Sequence, residues 1–155
     1  FDQIDAMESM ARTNPADVRN LVTLASSYLQ MQQTTRALQL YDMALDRPEI
    51  TFQEAQSMAM AFAQIQDLTR LGKALKKMVG LSPDLPEARC DLAALEAMTG
   101  QTNEALADLR QALELNSKRL AQNPAANNLM KTVVQDPRFT ALHNMPEFQK
   151  LVAPQ

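Results

Sequence analysis

The sequence predicts an all-α chain built from stacked antiparallel helix pairs, and two observations carry that expectation. The first is composition. Only 3 glycines occur among 155 residues and tryptophan is absent. β-Branched residues are few, while Ala, Leu, Gln and Met, all good helix formers, dominate. The second is an internal period of 34 residues, visible in Ala25, Ala59 and Ala93 (25 + 34 = 59; 59 + 34 = 93). The same step links Leu24, Met58 and Leu92, then Ala37, Leu71 and Ala105, then Tyr41, Leu75 and Leu109, then Ala44, Met78 and Ala112. Small residues at Ala25/Ala37 and Ala93/Ala105 allow close approach of paired helices. Tyr28, Tyr41, Phe62 and the Leu/Met positions fill the space between layers. One pair cannot bury its apolar face alone, so such units must stack.

Residues 2–13 read as a helix with Ile4, Met7, Met10 and Ala11 on one face. Asn14-Pro15 caps and starts the next helix, expected over 15–30 and followed by one near 34–46. Thr51-Phe52-Gln53-Glu54 has the form of a capping box and opens a helix near 52–65. A helix near 67–80 is expected to stop at Gly80. Leu71 replaces a small residue there, which displaces that helix outward unless Gly72 and Ala74 let it rotate. Then come 85–99, a turn at Gly100, and a long helix over 103–121. Asn123-Pro124 is expected to start a helix of about three turns to Gln135. Asp136-Pro137-Arg138-Phe139 and Met145-Pro146-Glu147-Phe148 each start a short one.

The period and its motif resemble the tetratricopeptide repeat. Repeat 1 has Leu24-Ala25-Ser26-Ser27-Tyr28, then Ala37, Tyr41 and Ala44. Repeat 3 has Leu92-Ala93, Gly100, Ala105, Leu109 and Ala112. The family's early Trp is missing: Leu21, Ala55 and Arg89 stand in its place, and Glu96 takes the slot of Tyr28 and Phe62. The resemblance implies an α-α superhelix, a right-handed solenoid of antiparallel helix pairs with short C-terminal capping helices. It divides one domain, 1–155, into a half-repeat helix (1–17), repeats at 18–51, 52–85 and 86–119, and a cap (120–155). Residues 136–151, DPRFTALHNMPEFQKL, resemble a tail found after such arrays in many bacterial proteins. Phe139, Leu142, Phe148 and Leu151 are expected to cover the apolar end of the last repeat.

Chemistry-bearing motifs are missing from the sequence. It contains no phosphate loop, dinucleotide fingerprint, nucleophile elbow or metal-binding helix motif. His143 is the sole histidine and Cys90 the sole cysteine, which excludes a His-cluster or multi-Cys metal site and an intramolecular disulfide. His143 reads as a surface or half-buried residue, and Cys90 as a small groove or core residue without the basic neighbours of a reactive thiol. The net charge of −3 offers no overall basic field for nucleic acid or an anionic membrane. The basic run Arg70, Lys73, Lys76 and Lys77 lacks interleaved aromatic residues and reads as a solvated outer face. Met7, Met10, Met43, Met58 and Met78 occupy core-like repeat positions, unlike Met60 and Met98. No apolar run is long enough to span a membrane. The chain opens Phe1-Asp2-Gln3 without a signal peptide and reads as a soluble piece of a longer protein, whose compartment the sequence leaves open.

In the resembling family, first helices line a concave groove that binds peptides. The corresponding positions are Arg19, Val22, Thr23, Ser26, Leu29 and Gln30 in repeat 1. They are Gln53, Gln56, Ser57, Met60, Ala63 and Gln64 in repeat 2, and Glu87, Cys90, Asp91, Ala94, Ala97 and Met98 in repeat 3. Leu29, Met60, Met98 and the alanines offer an apolar, adaptable strip, and the glutamines offer donors and acceptors to a peptide backbone. The chaperone-binding members clamp a carboxylate with Lys and Asn at positions held here by Val22, Ser26, Ser57, Glu87 and Asp91. None matches, so that function is disfavoured. The resemblance implies a non-catalytic scaffold for a protein or peptide partner, with no cofactor, metal, nucleic acid or direct membrane insertion. Packing against the parent protein, or homodimerisation through the N-terminal helix, is the alternative reading.

Overall fold

The computed structural model describes residues 17–153, and within them the chain is helical with no strand. The expected helix over 2–13 and the start at Asn14-Pro15 lie outside these residues. The chain divides into two compact units, one ending at Lys77 and one beginning at Met78.

In the first unit, α1 (Val18–Gln30) is capped by Asp17, whose Oδ1 accepts from Arg19 N at 3.0 Å and Asn20 N at 3.4 Å. It pairs with α2 (Thr34–Leu45). Ala25, Ala37 and Ala44 are fully buried, and the Ser26 and Tyr41 hydroxyls meet at 3.0 Å. α3 (Phe52–Gln64) opens with the expected capping box: Thr51 Oγ1 accepts from Glu54 N at 3.2 Å, and Thr51 N donates to Glu54 Oε1 at 2.9 Å. It buries Ala55, Met58, Ala59 and Phe62. The Phe62 ring meets Tyr41 edge-on, with centroids 5.4 Å apart.

α4 (Leu68–Leu81) runs across the boundary between the units. It passes through Gly80 instead of stopping there. Positive φ among the glycines belongs to Gly100, so Gly80 has no left-handed terminator role, and the chain turns at Ser82–Leu85 instead. Leu71 is half-buried while Ala74 is fully buried. A small residue is thus buried at position 74 instead of 71, while Leu75 and Met78 stay buried as the 34-residue step expects. The basic run is not uniformly solvated: Arg70 donates to both Asp42 oxygens at 2.8 Å and to Asp67 Oδ2 at 2.8 Å, tying α2 to α4. Met43 is a further correction. It is 45% exposed, because it lies two residues past buried Tyr41, on the outer side of α2.

In the second unit, α5 (Pro86–Met98) and α6 (Thr102–Gln122) pair antiparallel. Arg89 Nη1 reaches Asp108 at 3.1 Å, and Arg119 grips both Glu87 oxygens at 2.7 and 2.8 Å. Relative to α2, whose last residue Leu45 corresponds to position 113 (45 + 68), α6 is longer by residues 114–122. That extension carries the anchors of the C-terminal segment. Buried Asn116 accepts from Leu129 N at 2.8 Å and donates to Asn128 Oδ1 at 3.0 Å. Asn128 then caps α7 (Leu129–Gln135). α7 is therefore two turns, not a helix begun at Asn123-Pro124. A 3-10 helix (Pro137–Leu142), capped by Asp136, and α8 (Pro146–Val152) complete the unit. Phe139, Leu142 and Phe148 enter one core with Cys90, Ala93, Leu109 and Leu113.

The period recurs in the backbone as well as in the side chains. Left-handed residues fall at Gln32 (φ 61°), Gln66 (φ 59°) and Gly100 (φ 79°), spaced by 34. Each sits in the same pair of bonds. Gln33 N reaches Tyr28 O at 2.9 Å, Asp67 N reaches Phe62 O at 2.9 Å, and Gln101 N reaches Glu96 O at 2.8 Å. Gln32, Gln66 and Gly100 donate to Leu29, Ala63 and Ala97. This is the Schellman motif, repeated bond for bond at the three turns.

Candidate functional site

The candidate strip begins on α1 and α3, which touch within the first unit. α3 buries Ala55, Met58, Ala59 and Phe62, so 3.6-residue periodicity turns Gln53, Gln56, Ser57, Met60, Ala63 and Gln64 to the opposite side. All six are exposed, Met60 at 65%. On α1, Arg19, Thr23 and Gln30 are exposed, and Val22, Ser26 and Leu29 are half-buried. Ser26 is engaged with the Tyr41 hydroxyl, so it contributes to pair packing. The first unit therefore presents apolar Val22, Leu29 and Met60 among amides, with Arg19 as the cation.

The equivalent positions of α5 behave differently. Cys90 is 3% exposed, Ala94 0% and Ala97 4%. They lie in the core that receives Phe139, Leu142 and Phe148. The 3-10 helix packs directly on α5. Asp91 is met by Arg138 Nη1 at 3.2 Å, and Glu87 is taken by Arg119 and by Asn127 Nδ2 at 2.9 Å. Cys90 and Ala94, expected to line the groove, are thus buried, and Asp91, half-exposed, is paired with Arg138. The chain's own C-terminal segment covers this face. Met98, beyond the covered stretch, stays 52% exposed. The cause is sequence-distant: Arg138 lies 47 residues from Asp91, beyond the reach of any helical periodicity.

The electrostatics of this region are structural. Arg138 hydrogen-bonds Asp136 at 2.8 Å and holds its carboxyl below the usual carboxylate range. Arg119 does the same to Glu87. Burial pushes the Cys90 thiol up to about 12, so it is a core side chain with little thiolate at neutral pH. Burial also lifts Asp91 despite Arg138, although water still reaches 41% of that side chain and screens the effect. His143 is half-buried, its ring 5.3 Å from Phe148. Among the described residues, no group of three His, Cys, Asp or Glu side chains is placed to hold a metal ion. No helix among them is long and apolar enough to cross a membrane.

The second unit also carries a surface that the sequence reading missed, an open trough of about 980 Å³ lined by α6, α7 and α8. The adjacent valines at 133 and 134, which a helix cannot both turn inward, were its only sign in the sequence; the structure buries Val133 and exposes Val134. No protein-family model matches this chain, and no curated protein matches it.

Proposed function

We propose that the chain is a tetratricopeptide-type, non-catalytic interaction module whose exposed first-helix face, centred on Met60, takes a polypeptide segment of a partner. The observation that carries this reading comes from the chain itself. At a step of 34, Gln56 corresponds to Cys90, Met60 to Ala94 and Ala63 to Ala97. On α5 these positions are covered by a polypeptide segment, residues 137–142, through apolar contacts and an Arg–Asp pair. On α3 the same positions face solvent. The recurring Schellman turns support the repeat resemblance on which the assignment rests.

The partner segment is expected to bury Met60 and Leu29 while Gln53, Gln56 and Gln64 pair with its backbone. Met60→Glu tests this. A charge buried without a partner costs about 3–5 kcal/mol, so affinity should fall by at least about 100-fold. Peptides selected on the intact chain from a random display library provide the ligands, and calorimetry reads the affinity. Selected peptides that bind Met60→Glu as tightly as the parent, with unchanged melting, would place the interaction elsewhere.

A further inference from the structure

We propose that the trough of the second unit is a separate docking surface for an acidic amphipathic helix. It is lined by α6, α7 and α8, shares no residue with the Met60 face, and stands or falls independently of it. Its floor is apolar. Val134 is 48% exposed, and Leu120, Met130, Leu151 and Val152 are half-buried. Of the polar groups lining it, Asn116 donates to Asn128 Oδ1 and accepts from Leu129 N, and Asn128 Oδ1 also accepts from Met130 N. With a volume of about 980 Å³, the trough is at the upper end of the roughly 300–1,000 Å³ of sites that enclose small molecules. It therefore has room for several side chains from one face of a helix.

The rim decides the partner's charge. Arg110, Lys131 and Lys150 line the trough against a single carboxylate, Glu114. All three cations are exposed and make no ion pair among the described residues, whereas Arg89, Arg119 and Arg138 of the same unit are each paired. An amphipathic helix laid in the trough would place its apolar stripe against Val134 and Leu151, and acidic side chains along its edges beside the three cations. An anionic membrane fits less well. The apolar side chains are gathered in one trough of about 980 Å³ among three helices, not spread over a continuous surface.

The probe is a fluorescein-labelled 16-residue helical peptide with Leu at i, i+3, i+4 and i+7 spacing and Glu on the remaining face. Its counterpart carries Lys in place of Glu. Fluorescence anisotropy with the intact chain should show binding of the acidic peptide, weakened as salt is raised from about 50 to 500 mM. The lysine counterpart should not bind. Lys131→Glu combined with Lys150→Glu should weaken binding at least about ten-fold, and Val134→Asp similarly, while Met60→Glu leaves it unchanged. All three positions in the trough are exposed, so melting should hold. If the double variant melts early, Val134→Asp decides. Equal binding of both peptides would overturn the proposal, as would affinities within about two-fold across the trough variants. So would sedimentation with phosphatidylserine vesicles in the absence of peptide binding.

Discussion

Replacing Phe139 by Ala tests whether the C-terminal segment belongs to the core or rests on it. Phe139 is 0% exposed, in a core with Cys90, Ala94 and Leu109, and its ring centroid lies 6.2 Å from that of Phe148. A phenylalanine buries roughly 150–250 Å², which at about 25 cal/mol per Å² amounts to about 4–6 kcal/mol. That is an upper bound, because the unfolded chain already shields part of the ring. Truncations of this kind cost about 3–5 kcal/mol once the residual cavity is included. At about 2–4 °C per kcal/mol for a chain of this size, the melting temperature should fall by roughly 6–20 °C. Scanning calorimetry or circular dichroism at 222 nm reads the shift. Met60→Ala removes a side chain that is 65% exposed and should move stability by no more than about 0.5 kcal/mol. Deleting residues 136–155 should bare the Cys90–Ala94–Ala97 face and cause aggregation. A Phe139→Ala protein melting within about 2 °C of the parent would refute the reasoning, because a ring with no solvent contact cannot be removed so cheaply from a packed core.

Two further outcomes follow from the turns and the ion pairs. Gly100→Ala meets no atom within 4 Å of the added Cβ, so its cost is purely that of a left-handed backbone, about 1–2 kcal/mol. At the matching turn, Gln66→Gly should shift melting upward by less than about 1 kcal/mol, since glycine also loosens the unfolded chain. Asp136 has a folded-state pKa below its unfolded value, so its contribution is present above about pH 4 and is lost as pH falls through the folded value. Asp136→Asn should therefore lower the melting temperature at pH 7, and the two melting curves should converge as pH falls through the folded value. A constant difference across that range would assign the effect to capping of the 3-10 helix alone.

Helix content, the three turns and the buried phase of α3 were legible in the sequence because they are local. A 3.6-residue period sets which side of α3 Met60 occupies, and the Thr51–Glu54 box spans four residues. The 34-residue step located turns that the backbone repeats at Gln32, Gln66 and Gly100. Local signals failed where an alternative partner was distant. Asn123-Pro124 looks like a helix start, but Asn116 holds Leu129 N and Asn128 supplies the cap, so α7 begins six residues after Asn123. Gly80 looks like a stop, but its backbone stays helical and α4 runs on to Leu81.

The candidate strip divides along the same line. The sequence by itself determined that Gln56, Met60 and Gln64 share one side of α3, and that Cys90, Ala94 and Ala97 share one side of α5, since both follow from helical geometry. Only the tertiary structure decided that the second side is closed. Residues 137–142 fold back onto α5, with Arg138 reaching Asp91 and Phe139 entering the core that contains Ala94. It likewise decided that Arg110, Lys131 and Lys150, spread over 40 residues of sequence (150 − 110), rim one apolar trough. Burial and charge convergence are properties of segments brought together by packing, and no period within a single helix encodes them.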